Sequence, residues 1–231
     1  MFTEEQIQAI EKASLAEALK LVTDQFPEAT VLSSSLGQED QVLTEAIAVN
    51  KLPVKIFTLD TGRLFYEHYD LLEKTNARYK INIAVYFPED SDVEAYVKAK
   101  GANGFYESVE NRKECCFIRK VKPLNRALEG AKVWITGLRS EQSDNRKDMK
   151  MIEWDEDRGL YKFNPLIRWS YNEVLNYIKE KNIPYNPLHD KGFVSIGCAP
   201  CTRAIEPGED PRAGRWWWEA SHKECGLHVH Q

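Results

Sequence analysis

No apolar stretch of this chain approaches the roughly 18 residues that a membrane-spanning helix needs, so a helical bilayer span is excluded. Positive charge is not in excess either. The 31 Lys and Arg are outnumbered by 36 Asp and Glu, leaving a formal net charge of −5, whereas a general nucleic-acid binder carries the opposite balance. There is no internal repeat and no low-complexity tract, which removes solenoids and disordered arrays. The N-terminal stretch MFTEEQIQAIEKASL has neither the basic start nor the apolar core of a signal peptide, so a cytoplasmic location is expected. Cysteine is scarce, with five in 231 residues. That length supports a real hydrophobic core, and a disulfide-stapled miniprotein is not expected.

What is present reads as strands alternating with helices. Thr3 and Gln6 form a T-x-x-Q capping box, and apolar residues at Ile7, Ile10, Leu15, Leu19 and Leu21 predict one amphipathic first helix. ATVLSSS, VKIFTLD, INIAVYF and KVWITGL read as strands, and QVLTEAIAV, RLFYEHYDLLEKTNARY, VEAYVKAK and the stretch from Glu114 to Leu128 as helices. MIEWDEDRGLYKFNPL suggests a hairpin, WSYNEVLNYIKEKN a helix, and about 185–231 an irregular tail. This alternation predicts an α/β fold with a mostly parallel twisted sheet and flanking helices, since parallel neighbours need crossovers. Ligands of such sheets sit at C-terminal strand ends. Ser33 to Gly37, Asp60 to Gly62 and Thr136 to Arg139 fall at such ends and are expected to converge on one crevice.

The cysteines divide as four plus one. Cys198-Ala-Pro-Cys201 has the C-x-x-C spacing that brings two thiolates to one metal centre, with Gly197 permitting close approach. Cys115 and Cys116 are adjacent, so their Cα atoms lie about 3.8 Å apart, too close for an ordinary disulfide. In a reducing compartment such clustered thiols read as metal ligands. A cubane iron-sulfur cluster, whose iron corners can each take one of two neighbouring cysteines, fits better than tetrahedral zinc. Arg119 and Lys120 follow closely enough to offset the cluster's negative charge; a solvated basic helix face is the plainer reading.

Cys225 stands apart, in HKECGLHVHQ. A thiol near a chain end suggests a nucleophile, with Lys223, His222 and His228 as groups that lower its pKa if they face it; an unengaged surface thiol is the alternative. Arg212 and Arg215 precede Trp216, Trp217 and Trp218. Their spacing suits an oxyanion, and cation-π packing on the tryptophans is the competing explanation.

In combination SSSLGQED, LDTGRLF, KECCFIRKVKPL, TGLRSEQSDNR, GCAPCTR, GRWWWE and ECGLH resemble, in order, the motif series of the assimilatory adenylyl-sulfate reductases. The series runs from about residue 30 to residue 228. That family is similar in fold to the adenine-nucleotide alpha-hydrolases of the N-type ATP pyrophosphatase kind. SSSLGQED stands where those enzymes carry S-G-G-x-D-S and departs from it at the second and third positions; FYEHY after LDTGRL is a further, local departure. The resemblance implies one sulfonucleotide reductase domain over 1–231 that reduces adenosine 5′-phosphosulfate to sulfite and AMP, in sulfate assimilation and cysteine biosynthesis. Thioredoxin or a similar dithiol protein would supply the electrons. It implies a 4Fe–4S cluster on Cys115, Cys116, Cys198 and Cys201, and Cys225 as the nucleophile that becomes S-sulfocysteine. Substrate would be held by Ser33, Ser34, Ser35, Gly37, Leu59, Asp60, Thr61, Gly62, Lys120, Gly137, Arg139, Arg146, Arg212, Arg215 and His228. For Asp60, a satisfied strand-end carboxylate is an equal alternative. A homo-oligomer is compatible with the sequence.

Three other readings remain at this level: a reductase that accepts the 3′-phosphorylated substrate as well or instead, a non-catalytic iron-sulfur redox protein, and a zinc-stabilised enzyme that forms adenylates from ATP. Four cluster cysteines favour the unphosphorylated substrate over the first. Only the reductase readings need Cys225.

Overall fold

The computed structural model describes residues 1–142 and 146–219. Helix α1 (Glu4–Lys12) starts at the expected Thr3–Gln6 capping box. The single first helix read from periodicity is instead two, because α2 (Leu15–Gln25) starts afresh at Ser14. Ser14 is extended, and its backbone N–H donates to Glu17 at 3.1 Å, closing a second capping box that the apolar spacing alone does not reveal.

Strand β1 (Thr30–Ser33) leads through a short loop into α3 (Gln38–Val49), and β2 (Val54–Leu59) into α4 (Tyr66–Tyr79). After β3 (Ala84–Tyr86) and α5 (Asp90–Lys100) comes a long irregular helix: α6 (Val109–Cys116), a π turn (Phe117–Val121) and α7 (Lys122–Ala127). Pro123 explains the π turn. It has no N–H to donate one turn back, and Lys122 N–H reaches the Phe117 carbonyl five residues earlier, so the helix widens where it would otherwise break. Then come β4 (Val133–Ile135), the hairpin β5 (Ile152–Asp155) with β6 (Leu160–Phe163), and α8 (Tyr171–Lys181). The sheet order is β3-β2-β1-β4-β6-β5. β1 pairs in parallel with β2 and β4, and β4 with β6, while β5 runs antiparallel to β6.

The chain forms two compact units. The first comprises Met1–Thr58, Asp70–Ala84 and Gly130–Asn186. Its core includes Leu19, Val22, Leu32, Val42, Leu43, Val133, Ile135, Phe163 and Val174. Helix α3 is unusually enclosed, and its buried polar side chains are matched: Gln41 donates to Thr75 and the Pro184 carbonyl, and Glu45 accepts from Tyr177. The second unit comprises Leu59–Tyr69, Val85–Glu129 and Pro187 onward. It has its own small core of Phe105, Cys116, Cys198, Cys201 and Trp216.

Candidate active site and metal centre

In the first unit the loop after β1 forms a tight turn at a C-terminal strand end. Ser34 N–H donates to the Phe57 carbonyl at 2.7 Å, and Leu36 takes a positive φ of 57°, a conformation uncommon for a non-glycine residue. Ser35 N–H and Oγ both reach Asp40 Oδ2 at 2.6 Å, while Ser33 Oγ accepts from Trp134 Nε1 at 2.8 Å. Gly37 caps the start of α3. Asp40 is buried there, and burial pushes its carboxyl up to about 6 against the opposing Ser35 hydrogen bonds.

The turn after β4 meets this loop. A Cβ on Gly137 would collide with the Asp40 carboxylate, so glycine is required for the approach. Arg139 is almost fully buried and donates through Nε to Glu39 at 2.8 Å and through Nη1 to Glu141 at 3.0 Å. Arg146 donates to Gln142, which in turn donates to Glu39. Of the three stretches expected to converge, Thr136 to Arg139 meets the start of α3 just beyond Ser33 to Gly37, through Gly137 with Asp40 and Arg139 with Glu39. The third, Asp60 to Gly62, belongs to the second unit.

In that unit Asp60 is buried, and its Oδ1 accepts from Gly62 N–H at 2.7 Å and Tyr69 OH at 3.1 Å. Its carboxylate is thus a satisfied strand-end group. Leu59 ends β2 just before it, and Gly62 sits at φ 72°. Thr61 faces the cysteines: its Oγ1 lies 3.2 Å from Cys198 Sγ, and its carbonyl accepts from Arg119 Nη1 at 2.7 Å.

Cys115, Cys116, Cys198 and Cys201 all line one cavity, with Arg63, Arg112, Arg119, Lys120, Phe105, Pro200 and Trp216. Five of these come from one helix. Residues 112, 115, 116, 119 and 120 repeat at i, i+3, i+4, i+7 and i+8, a single stripe that turns two adjacent cysteines and three cations toward the same side. Cys198 and Cys201 bracket a short helical turn closed by the Cys201 N–H to Cys198 carbonyl bond at 2.9 Å. Ala199 N–H is held by the Arg63 carbonyl at 2.8 Å, and Trp216 N–H donates to the Cys201 carbonyl at 3.1 Å. Gly197 leaves room for the Arg215 guanidinium, which a Cβ there would strike. Arg215 is buried against the Trp216 ring, 4.6 Å from its centroid, so the cation-π reading of this pair is realised; Arg212 is half-buried, with its backbone N–H donating to Asp210 at 2.8 Å.

The electrostatics suit a shared metal group. Burial pushes Cys201 up to about 12, with the Cys198 charge adding to the effect, and burial likewise raises Cys115. Cys198 is the exception: burial raises it, but Lys120, the Thr61 hydroxyl, Arg215 and Arg119 together bring it below its ordinary value. Charge on one of these sulfurs raises Cys201 and Cys115 further, and bound positive charge would let them ionise together. Among the described residues no three His, Cys, Asp or Glu side chains are grouped to hold a single metal ion. Four cysteines lining one cavity are nevertheless a donor set of the kind that a multi-iron cluster takes, one cysteine to each iron. The residues present fit that group.

The profile of the phosphoadenosine phosphosulfate reductase domain matches residues 29–204. The chain belongs to the phosphoadenosine phosphosulfate reductase family. Within this reductase family it is 54% identical over 221 residues to a protein of Sinorhizobium fredii called adenosine 5′-phosphosulfate reductase, covering 95% of this chain and 88% of that one. It is 50% identical over 218 residues to a protein of the same name from Allochromatium vinosum, covering 94% and 85%. Among solved structures, the phosphoadenylyl-sulfate reductase of Candida auris superposes with a TM-score of 0.73 at 30% identity, covering 87% of this chain and 97% of that one. The Candida glabrata FMN adenylyltransferase, at 16% identity and a TM-score of 0.57, covers 98% and 78% and shares the fold alone. The chain is therefore an oxidoreductase with the expected α/β fold, a mostly parallel sheet with flanking helices. Its Cys225 and His228 lie outside the described residues.

Sequence reading overlooked Arg63, Arg112 and Asp40. The signal for Arg112 was present three residues before Cys115 on the same helical stripe. Asp40 reads in sequence as an acid in the first turn of a helix, and Arg63 reaches the cysteines through contacts far apart along the chain.

Proposed function

We propose that this protein reduces adenosine 5′-phosphosulfate to sulfite and AMP with electrons from thioredoxin or a similar dithiol protein, in a reducing compartment such as the cytoplasm. The observation that carries this reading is the placement of Cys115, Cys116, Cys198 and Cys201 around one cation-lined cavity in a chain of this family. These four residues would hold a 4Fe–4S cluster. When bound, such a cluster supplies a delocalised, redox-capable centre and ties together the two segments that ligate it.

The chemistry belongs to the fifth cysteine. The Cys225 thiolate attacks the substrate sulfur, the sulfur–oxygen bond to the phosphate breaks, and AMP leaves with S-sulfocysteine on the enzyme. A thiolate of the dithiol partner then attacks Cys225 Sγ and expels sulfite. The partner's second thiol resolves the mixed disulfide, so two thiols are oxidised as sulfur gains two electrons. An anion attacking a doubly charged anhydride needs local positive charge. Lys120, Arg146, Arg212 and Arg215 are the groups assigned to it, while Arg139, already paired with Glu39 and Glu141, orders the Gly137 turn. The adenosine and ribose fall to Ser33, Ser34, Ser35, Gly37 and the stretch Leu59 to Gly62, with Gly137 giving backbone access and His228 near the phosphosulfate.

The test is sulfite release by anaerobically purified protein with thioredoxin and its reductase. Turnover of adenosine 5′-phosphosulfate that disappears in Cys225→Ser is expected. Sulfite release that survives this substitution, or pyrophosphate release from ATP by a zinc-loaded protein, would overturn the reading. The relatives at half identity or more are named for the unphosphorylated nucleotide, which supports a preference for it over the 3′-phosphorylated form.

A further inference from the structure

One buried ion pair lies between the cysteine helix and the segment that leads to Cys225. Arg112 donates from Nε to Glu219 Oε1 and from Nη2 to Glu219 Oε2, both at 2.8 Å, with side-chain exposures of only 1% and 3%. The two-point fork fixes the carboxylate in orientation as well as distance. The same guanidinium lies 4.6 Å from the centroid of the Trp216 ring. Glu219 N–H donates to the Trp216 carbonyl at 2.9 Å, and Trp216 N–H to the Cys201 carbonyl at 3.1 Å. Hydrogen bonds and the ring contact thus run from Cys201 through Trp216 and Glu219 to Arg112, one turn before Cys115 and Cys116. Burying two charges this completely is costly and serves stability poorly compared with apolar packing. Its distinctive product is a fixed position.

We propose that Arg112 and Glu219 are positioning residues that root the C-terminal segment on the cysteine helix and thereby set where Cys225 can reach. Glu219 stands six positions before Cys225, so the chain allows at most roughly 22 Å between their Cα atoms. The pair touches no reacting atom. It acts by fixing the point from which the segment carrying the thiol starts, which favours the thiol's orientation toward the substrate.

This inference rests on Cys225 being the nucleophile, and its test separates the two claims. The rate of sulfonate transfer to Cys225 is followed by mass spectrometry after mixing the iron-loaded protein with adenosine 5′-phosphosulfate and no reductant. Iron content and AMP binding are measured on the same samples. In Glu219→Gln the transfer should slow at least about tenfold while AMP affinity stays within about twofold and iron is retained. Arg112→Lys keeps the buried charges balanced and loses the fork, so it should fold and show the same split per bound iron, the normalisation being needed because Arg112 also bonds Cys116; Glu219→Asp should recover part of the rate. Equal transfer rates in wild type and Arg112→Lys would overturn the positioning role alone. Iron loss in proportion to the lost rate would also overturn it, by making the pair a support for the metal site. A wild-type protein that takes no sulfonate on Cys225 would overturn the functional reading and this inference with it.

Discussion

The Thr61 hydroxyl lies 3.2 Å from the Cys198 sulfur, so the loop expected to face the nucleotide is in direct contact with one of the four cavity cysteines. Donation to an ionised sulfur is a charge-assisted hydrogen bond. Thr61→Val keeps the shape and removes the donor. The holoprotein should lose about 1–2 kcal/mol of stability and release iron faster to a chelator. Denaturant titration and chelator kinetics check both, and unchanged iron release would show that the contact does nothing for the centre.

Each of the four cavity cysteines is expected to be necessary for the metal group, because every one lines the same cavity and Cys116, Cys198 and Cys201 are buried. Replacing any one by serine should abolish iron binding and leave the 187–219 stretch more open to proteolysis. Iron and acid-labile sulfide assays with limited proteolysis test this. A colourless variant with full protease resistance would contradict the tie between metal and chain.

Gly137→Ala should be costly although it adds one methyl group. The new Cβ would meet the Asp40 carboxylate, itself anchored on Ser35, and such overpacking costs about 1–3 kcal/mol. Urea denaturation reads the stability, and nucleotide affinity should fall in the same variant as the two loops part.

Asp40 gives a pH dependence with a defined sign. Burial raises its carboxyl from 3.8 to about 6 in the folded protein, so the folded state holds the proton more tightly than the unfolded one. The stabilisation from that proton is complete below about pH 4 and is lost as pH rises through about 6. Against Asp40→Asn, wild type should therefore lose on the order of 3 kcal/mol between pH 4 and pH 7. Paired denaturation curves across that window test it, and a difference independent of pH would refute it.

Much of this was readable before any coordinates. Alternating β-rich and helical stretches imposed a mostly parallel sheet, which the hairpin of Ile152–Asp155 with Leu160–Phe163 breaks. The four cysteines were legible as a candidate set because adjacency disfavours a Cys115–Cys116 disulfide and C-x-x-C spacing brings two thiols to one place, and all four do line one cavity. The break at Ser14 was not, since hydrophobic spacing continues across it while the capping box that causes it is local. The π turn was hidden for a related reason: Pro123 announces an interruption, but not whether the helix ends or widens. Pairings such as Arg112 with Glu219, more than a hundred residues apart, depend on the fold itself and leave no local signature.

The most direct measurement is the mass of anaerobically prepared protein after incubation with adenosine 5′-phosphosulfate and no reductant. A single sulfonate adduct located on Cys225, released as sulfite when a dithiol protein is added, is the predicted result. Sulfite formed with no adduct on Cys225, or an adduct on one of the four cavity cysteines, would contradict the account.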